Sequence, residues 1–271
     1  MLANKFKNRC YNVISTLNKY FSAIHLNPSK TIFSLKSLPR YRRNKKLFLS
    51  KIVNEEWPVN LFPIVSDWDS HSAILGEYFW QDLYVAKRII KRNPKRHIDV
   101  GSRIDGFIAN LACVRAVEIF DIRPLPYKIE NVSFIQWDLT QSSSGTNVVA
   151  DCVSCLHTLE HIGLGRYGDK IDPEGWKKGL TSLTNLVKPH GGELWLSVPI
   201  GRQRVEFNAH RVFAPRTIRD AANKNGLELV EFHYLKENRI VHSQSIENDF
   251  EKLSGTVFDT NNSLVCRSPV K

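Results

Sequence analysis

The chain has 271 residues, 42% hydrophobic and 24% charged, the balance of an ordinary globular protein and enough for one large α/β domain with an extension. No apolar run approaches the ~18 residues of a membrane-spanning helix, and no continuous apolar core follows the basic N-terminus, which argues against a secretory signal. The formal net charge is +11, but residues 1–54 hold 12 Lys/Arg and no Asp or Glu, so the rest of the chain is near neutral.

Read in chain order, residues 1–54 form a basic N-terminal extension. Phe6, Cys10, Val13, Leu17, Tyr20 and Ile24 fall at helical spacing. Asn27-Pro28 and Pro39 then interrupt, and a cluster of Arg40, Arg42, Arg43, Lys45 and Lys46 follows. A basic amphipathic helix beside such a cluster can rest on an anionic membrane surface; the alternative is a helix packed on the domain beside a solvated tether. Residues 55–73, with Trp57, Pro58, Pro63 and Trp68, read as a linker that packs on the domain. Residues 74–271 read as the domain itself.

Within it, Leu75, Phe79, Leu83, Ala86 and Ile90 mark a helix that Asn93-Pro94 ends. Strands are expected at 97–100, 116–121, 132–137, 148–156, 193–198, 227–234 and 264–267. Helices lie between them: one after the first strand, one from Asp172-Pro173-Glu174 with Trp176, Leu180, Leu183 and Val187 inward, and one over 214–225 closed by Gly226. This alternation predicts a Rossmann-like, doubly wound, mostly parallel seven-stranded sheet. Ligands in such folds bind at the carboxyl ends of the strands, where the strand order reverses.

Cys10, Cys113, Cys152, Cys155 and Cys266 are odd in number and scattered, which suits a reducing, cytoplasmic setting. Cys152 and Cys155 have the CxxC spacing, yet on a buried strand they point to opposite faces, and nothing completes a zinc site. No metal is therefore expected. Because the basic charge sits outside the domain, no nucleic-acid partner is expected either.

Polar residues recur at successive strand ends. Asp99, Gly101 and Ser102 end the first strand; Asp121 and Ile122 end the second; Asp138 and Leu139 end the third. Gly101 lets the backbone turn tightly and approach a ligand. A carboxylate at the second strand end can accept both ribose hydroxyls, and one at the third can accept an adenine amino group. Alternatively, the two acids merely cap turns.

The series resembles class I S-adenosylmethionine-dependent methyltransferases. Asp99-Val-Gly101 matches their first motif, although Arg103 stands where a second glycine is usual. Leu159-Glu160-His161-Ile162 and Lys188-Pro-His-Gly-Gly192 are similar to turns of the small-molecule branch, and the end of the chain to that fold's terminal antiparallel hairpin. The match is closest to an uncharacterised domain-of-unknown-function family, number 268. It rests on Tyr78-Phe-Trp-Gln-Asp82, Asp99–Gly106, Phe120-Asp-Ile-Arg-Pro-Leu125, Ser154–His161, Gly163-Leu-Gly-Arg-Tyr-Gly-Asp169, Val198–Gly201 and Val205–Arg211. The resemblance covers about residues 74–235 and implies S-adenosylmethionine as cofactor.

Methyl transfer needs an acceptor held in line and, for a hydroxyl, a base. His161, His210 and Glu160 are the catalytic candidates, with His157 beside the cofactor, all after the fourth or fifth strand. Tyr167, Asp169 and Arg166 form a glycine-flanked loop suited to cover a substrate, or one ordered by an Arg166–Asp169 ionic brace. Arg103, Arg123, Arg202, Arg204 and Arg211 suit an anionic, sugar-linked or phosphorylated acceptor, as in glycan biosynthesis. Two other readings stay open: a nicotinamide-dependent oxidoreductase, against which the absence of GxGxxG speaks, and a non-catalytic binding module tethered by its basic arm.

Overall fold

Alternation of side chains along a strand decides how the centre of this protein is built. Cys152–Leu156 is buried throughout. Its odd residues Val153 and Cys155 join one apolar cluster, and its even residues Cys152 and Leu156 join another on the opposite face. Glu193–Ile200 repeats the pattern, with Leu194 and Leu196 on the first face and Trp195 on the second. A strand buried on both faces needs a helical layer on each side.

The computed structural model describes residues 28–51, 76–141, 148–236, 239–243 and 260–267, with isolated positions at 59, 61, 63–65, 247 and 249. The chain divides into two units, residues 1–74 and 75–271. In the first, the described element is helix α1, Pro28–Lys51. The expected interruption by prolines is not what forms there. Pro28 takes the first position, where its missing N–H costs nothing. Pro39 sits inside the helix at a cost of about 3 kcal/mol in the absence of compensation. The helix expected over residues 6–24 lies outside the described residues. No helix among the described residues is long and apolar enough to cross a membrane.

The second unit opens with α2, Glu77–Arg92, which turns Val85, Ala86 and Ile89 inward and ends on Asn93 in the left-handed conformation. Then follow β1 (His97–Val100), a π-helical turn (Ile104–Ile108), the one-turn α3 (Ala109–Ala112), β2 (Val117–Asp121), β3 (Val132–Gln136) and β4 (Cys152–Leu156). A 3-10 turn (Leu159–His161), α4 (Gly175–Leu186), β5 (Glu193–Ile200), β6 (Arg204–Glu206), β7 (His210–Val212), α5 (Pro215–Lys224), β8 (Glu228–Lys236), β9 (Arg239–His242) and β10 (Thr260–Arg267) complete it.

The large sheet runs β3-β2-β1-β4-β5-β10-β8-β9. Strands β1 to β5 are parallel, and β10, β8 and β9 add antiparallel pairs at one end. The sheet expected to hold seven strands holds eight among the described residues: β9 hairpins onto β8 and extends it by one, while β6 and β7 pair separately. Strand β4 starts at Cys152 rather than Val148, because the Asp151 carboxylate is taken by the Arg96 amide and the Lys188 ammonium at the strand's foot. On one face pack Leu180 and Leu183 of α4 and Ile218 and Ala222 of α5; on the other, α2 with Phe107, Ile108 and Leu111. Each such leucine, isoleucine or phenylalanine contributes about 1.5–3 kcal/mol on burial. Chain order reverses between β1 and β4, which opens a crevice above their carboxyl ends.

Candidate active site

Parallel register sets the site. Asp99 of β1 lies beside Ile119 of β2, and Asp121 of β2 lies beside Gln136 of β3. The three strands therefore finish level, and the residues just beyond them meet. Val100, Gly101, Phe120, Asp121, Ile122, Trp137, Asp138, Leu139, Leu156, His157 and Thr158 line one cleft of about 180 Å³. Tyr78, Arg103, Arg123, His161, Ile162, Tyr167 and Asp169 complete its wall.

Gly101 is required twice over. Its φ of 73° belongs to the left-handed region, and a Cβ there would stand 2.6 Å from the Thr158 methyl. The turn it makes is held from behind by Asp99. That carboxylate is fully buried and accepts the Ser102 amide (3.0 Å) and the hydroxyls of Ser102 (2.7 Å) and Ser154 (2.6 Å). The Ser102 oxygen in turn accepts the Leu156 amide, which ties β4 to the same turn. Burial pushes Asp99 up to about 7. Ser154 gives its one proton to Asp99, so it can only accept from His97, whose Nε2 lies 2.8 Å away. Burial lowers His97 to about 3, which keeps the ring neutral. Asp99 and Ser102, read from the sequence as cofactor contacts, are not among the lining residues. They shape the turn, because their polar atoms are spent on one another.

The two rim acids serve the turns and face the cleft at once. Asp121 Oδ1 accepts the Arg123 amide (2.8 Å) and Nε (3.2 Å), and Oδ2 accepts Nη2 (3.1 Å). Asp138 Oδ1 accepts the Thr140 amide and hydroxyl, both at 2.8 Å. Each retains lone pairs toward the cleft. Between them Ile122, Leu139, Trp137 and Phe120 give an apolar slot, the last two edge to face at 5.6 Å. Flat apolar walls with carboxylate acceptors at the edge match an adenosine group.

At the other end of the cleft His157 adopts a φ of 56°, rare for a residue with a side chain. Its Nε2 donates to Gln81 Oε1 at 2.9 Å, and its Nδ1 lies 3.3 Å from Glu160 Oε1. The same oxygen lies 3.6 Å from His161 Nε2. Glu160 is buried, does not line the cleft, and its Oε2 has no partner. His161 does line it and donates from Nδ1 to the Ala209 carbonyl at 2.6 Å, so its Nε2 is the nitrogen left to accept a proton. Burial lowers its pKa below the usual imidazole range. His210, the third catalytic candidate, is placed on β7 and is not a lining residue. The β6–β7 hairpin brings the Ala209 carbonyl to His161 and holds His210 behind it, near enough to act on the same ring.

The loop over 163–169 is not braced by Arg166 and Asp169. Asp169 instead accepts three amides of its own loop, from Gly163 (2.7 Å), Gly165 (3.3 Å) and Tyr167 (3.2 Å). Arg166 donates to the Ala209 carbonyl, and buried Arg211 donates to the carbonyls of Ile162, Glu160 and Pro173. Tyr167 is thereby fixed over the cleft, with the Arg123 and Arg166 guanidinium groups 4.8 and 5.2 Å from its ring centre. Of the other arginines read as anion-binding, Arg103 lines the cleft and pairs with Asp105; Arg202 and Arg204 are not lining residues.

The sequence reading missed Tyr78, Trp137 and Thr158 as parts of the wall, and Gln81 as the partner of His157. Tyr78 and Gln81 stand three apart on α2, hence on one helical side, inside the Tyr78–Asp82 motif. That spacing was the available signal.

Among solved structures, the chain is similar to the 1,6-didemethyltoxoflavin-N1-methyltransferase of Burkholderia thailandensis, crystallised with 1,6-didemethyltoxoflavin and S-adenosylhomocysteine. The identity is 12% and the TM-score 0.50, over 89% of this chain and 90% of that one. It is also similar to an O-methyltransferase family protein from Burkholderia thailandensis (14%, TM-score 0.47, 70% of this chain), of which it spans only 55%. Magnesium protoporphyrin IX methyltransferase from Synechocystis, with bound S-adenosylhomocysteine, gives 15% and 0.47 over 71% of this chain and 84% of that one. No curated protein matches. The fold is that of the class I S-adenosylmethionine-dependent methyltransferases. A family match covers residues 116–267, more than half of the chain, and the protein belongs to the family described as Caenorhabditis protein of unknown function, DUF268.

Proposed function

We propose that the protein is a methyltransferase that uses S-adenosylmethionine to methylate a small-molecule or glycan-linked acceptor. The observation that carries this reading is the delivery of Gly101, Asp121 and Asp138 by three neighbouring strands to one crevice with an apolar slot between the acids. Asp121 would hold the ribose hydroxyls, Asp138 the adenine amino group, and Ile122 and Leu139 the faces of the base. The tight Gly101 turn leaves backbone room for the methionine end. When bound, the cofactor supplies a methyl group on a sulfonium, which an acceptor attacks in line.

The chain's own residues supply the rest. His161 Nε2 takes the proton that an acceptor hydroxyl or amine loses, with Nδ1 anchored on the Ala209 carbonyl. Buried Glu160, beside both histidines, stabilises the imidazolium so formed. Tyr167, Arg123 and Arg103 at the wall favour an acceptor carrying an anionic group. A nicotinamide reading gains nothing from the site: Arg103 occupies the second glycine position of the turn, and a π-helical turn follows it. The basic arm, residues 1–54, is proposed as a point of peripheral contact with an anionic membrane.

Calorimetry against S-adenosylhomocysteine and against NAD tests the reading. Saturable binding of the first and none of the second is expected. Failure of S-adenosylhomocysteine to bind at millimolar concentration overturns the proposal.

A further inference from the structure

At the far edge of the sheet a second cluster of metal-ligating side chains lies outside the cleft. Glu231 and His233 stand two apart on β8 and so share one face. His242 of β9 is the register partner of His233. Tyr84 and Arg88, four apart on α2, cover the same patch.

His233 is buried, and the Tyr84 hydroxyl lies 3.1 Å from its Nδ1 and 3.3 Å from its Nε2. Its Nε2 lies 3.0 Å from Glu231 Oε2, and its Nδ1 lies 3.2 Å from His242 Nδ1. A carboxylate can only accept, so Nε2 carries the hydrogen and Nδ1 presents its lone pair toward His242 and the Tyr84 hydroxyl. Arg88 donates to the same Oε2 of Glu231, so that oxygen is spent on holding the His233 ring in place. A carboxylate on the outer nitrogen of an imidazole is the usual brace of a metal-bound histidine. The separation also fits. Zinc–nitrogen bonds of about 2.0–2.1 Å in a tetrahedral site place two ligand nitrogens about 3.3 Å apart.

We propose that His233 and His242 form a binding site for a divalent transition metal of the zinc class. The two Nδ1 atoms are the ligands, and Glu231 fixes the inner ring. Metal entry requires no net loss of a proton: a hydrogen carried on His242 Nδ1 would move to the other nitrogen of that exposed ring. The ion would clamp β9 to β8, and the exposed side of His242 leaves coordination positions for water.

The test is a zinc titration of the full-length, tag-free protein against a chromophoric chelator, with melting followed in parallel. One zinc equivalent is expected on the wild type, with affinity at least tenfold weaker in His242→Ala and a few-fold weaker in Glu231→Gln. Zinc should raise the melting temperature of the wild type and not of His242→Ala. His242 is exposed, so that variant should fold. Equal zinc affinity in the wild type and His242→Ala, or no binding to either, overturns the proposal.

Discussion

Asp121 sits at the meeting point of two demands. Its carboxylate is engaged by Arg123, whose side chain is 56% exposed, and the ribose of a bound cofactor would compete for the same oxygens. Opposite effects are expected from the two partners. Asp121→Ala should weaken S-adenosylhomocysteine binding at least tenfold, roughly 1.4 kcal/mol. Arg123→Ala should tighten it about two- to five-fold, since an exposed pair contributes about 0.2–1 kcal/mol. Calorimetry on both variants checks the pair of signs. Asp99 gives a pH signature instead. Its folded pKa of about 7 stands above the unfolded value of about 3.9, so the native state keeps a proton that the unfolded state releases. This group's contribution to stability is full below pH 4, falls between pH 4 and 7, and is level above. Asp82, raised by burial to about 6, acts in the same direction. Denaturation of Asp99→Asn across pH 4–8 should show a flatter stability profile than the wild type, because asparagine mimics the protonated acid.

At the scale of elements, the strand ends were legible and several boundaries were not. Asp121 closes β2 and Asp138 follows β3 by two residues, because alternating stretches rich in Val, Ile and Phe lead up to both, and paired parallel strands of equal length finish level. The apolar run 148–156 was too long by four residues, since hydrophobicity does not reveal that Asp151 is pinned by Arg96 and Lys188. β9 and the β6–β7 hairpin are only three or four residues long, too short for a period to register. The loop after β4 illustrates a constraint that sequence hints at and structure quantifies. Gly163 has a φ of 80°, and a Cβ on it would stand 1.9 Å from the Asp172 carbonyl oxygen. Gly163→Ala should therefore cost more than about 2 kcal/mol, through backbone strain and the displaced carbonyl. Thermal melting measures that loss directly.

For the molecule as a whole, charge and chemistry are segregated along the chain. Residues 1–54 carry all of the excess positive charge. In α1, the described part of that arm, Ile32, Leu35, Leu47 and Phe48 are exposed among basic side chains. Removal of residues 1–54 is expected to abolish binding to vesicles containing anionic lipid, as read by co-sedimentation. Persistence of binding would move the contact elsewhere.

The α/β class and the acids at the strand ends were readable from the residues alone, because hydrophobic period and chain connectivity are local properties; where the strand order reverses was decided by the pairing itself. Sequence alone could not assign roles within the crevice. Asp99 and Asp121 are both strand-end acids; only the three-dimensional packing decides that one is walled in by Ser102 and Ser154 while the other lines the cleft beside Arg123. His161 and His210 are likewise equivalent on paper. The tertiary fold distinguishes them by setting a carbonyl against one ring at the cleft wall and carrying the other onto a hairpin, since side-chain environment depends on contacts between residues far apart in the chain.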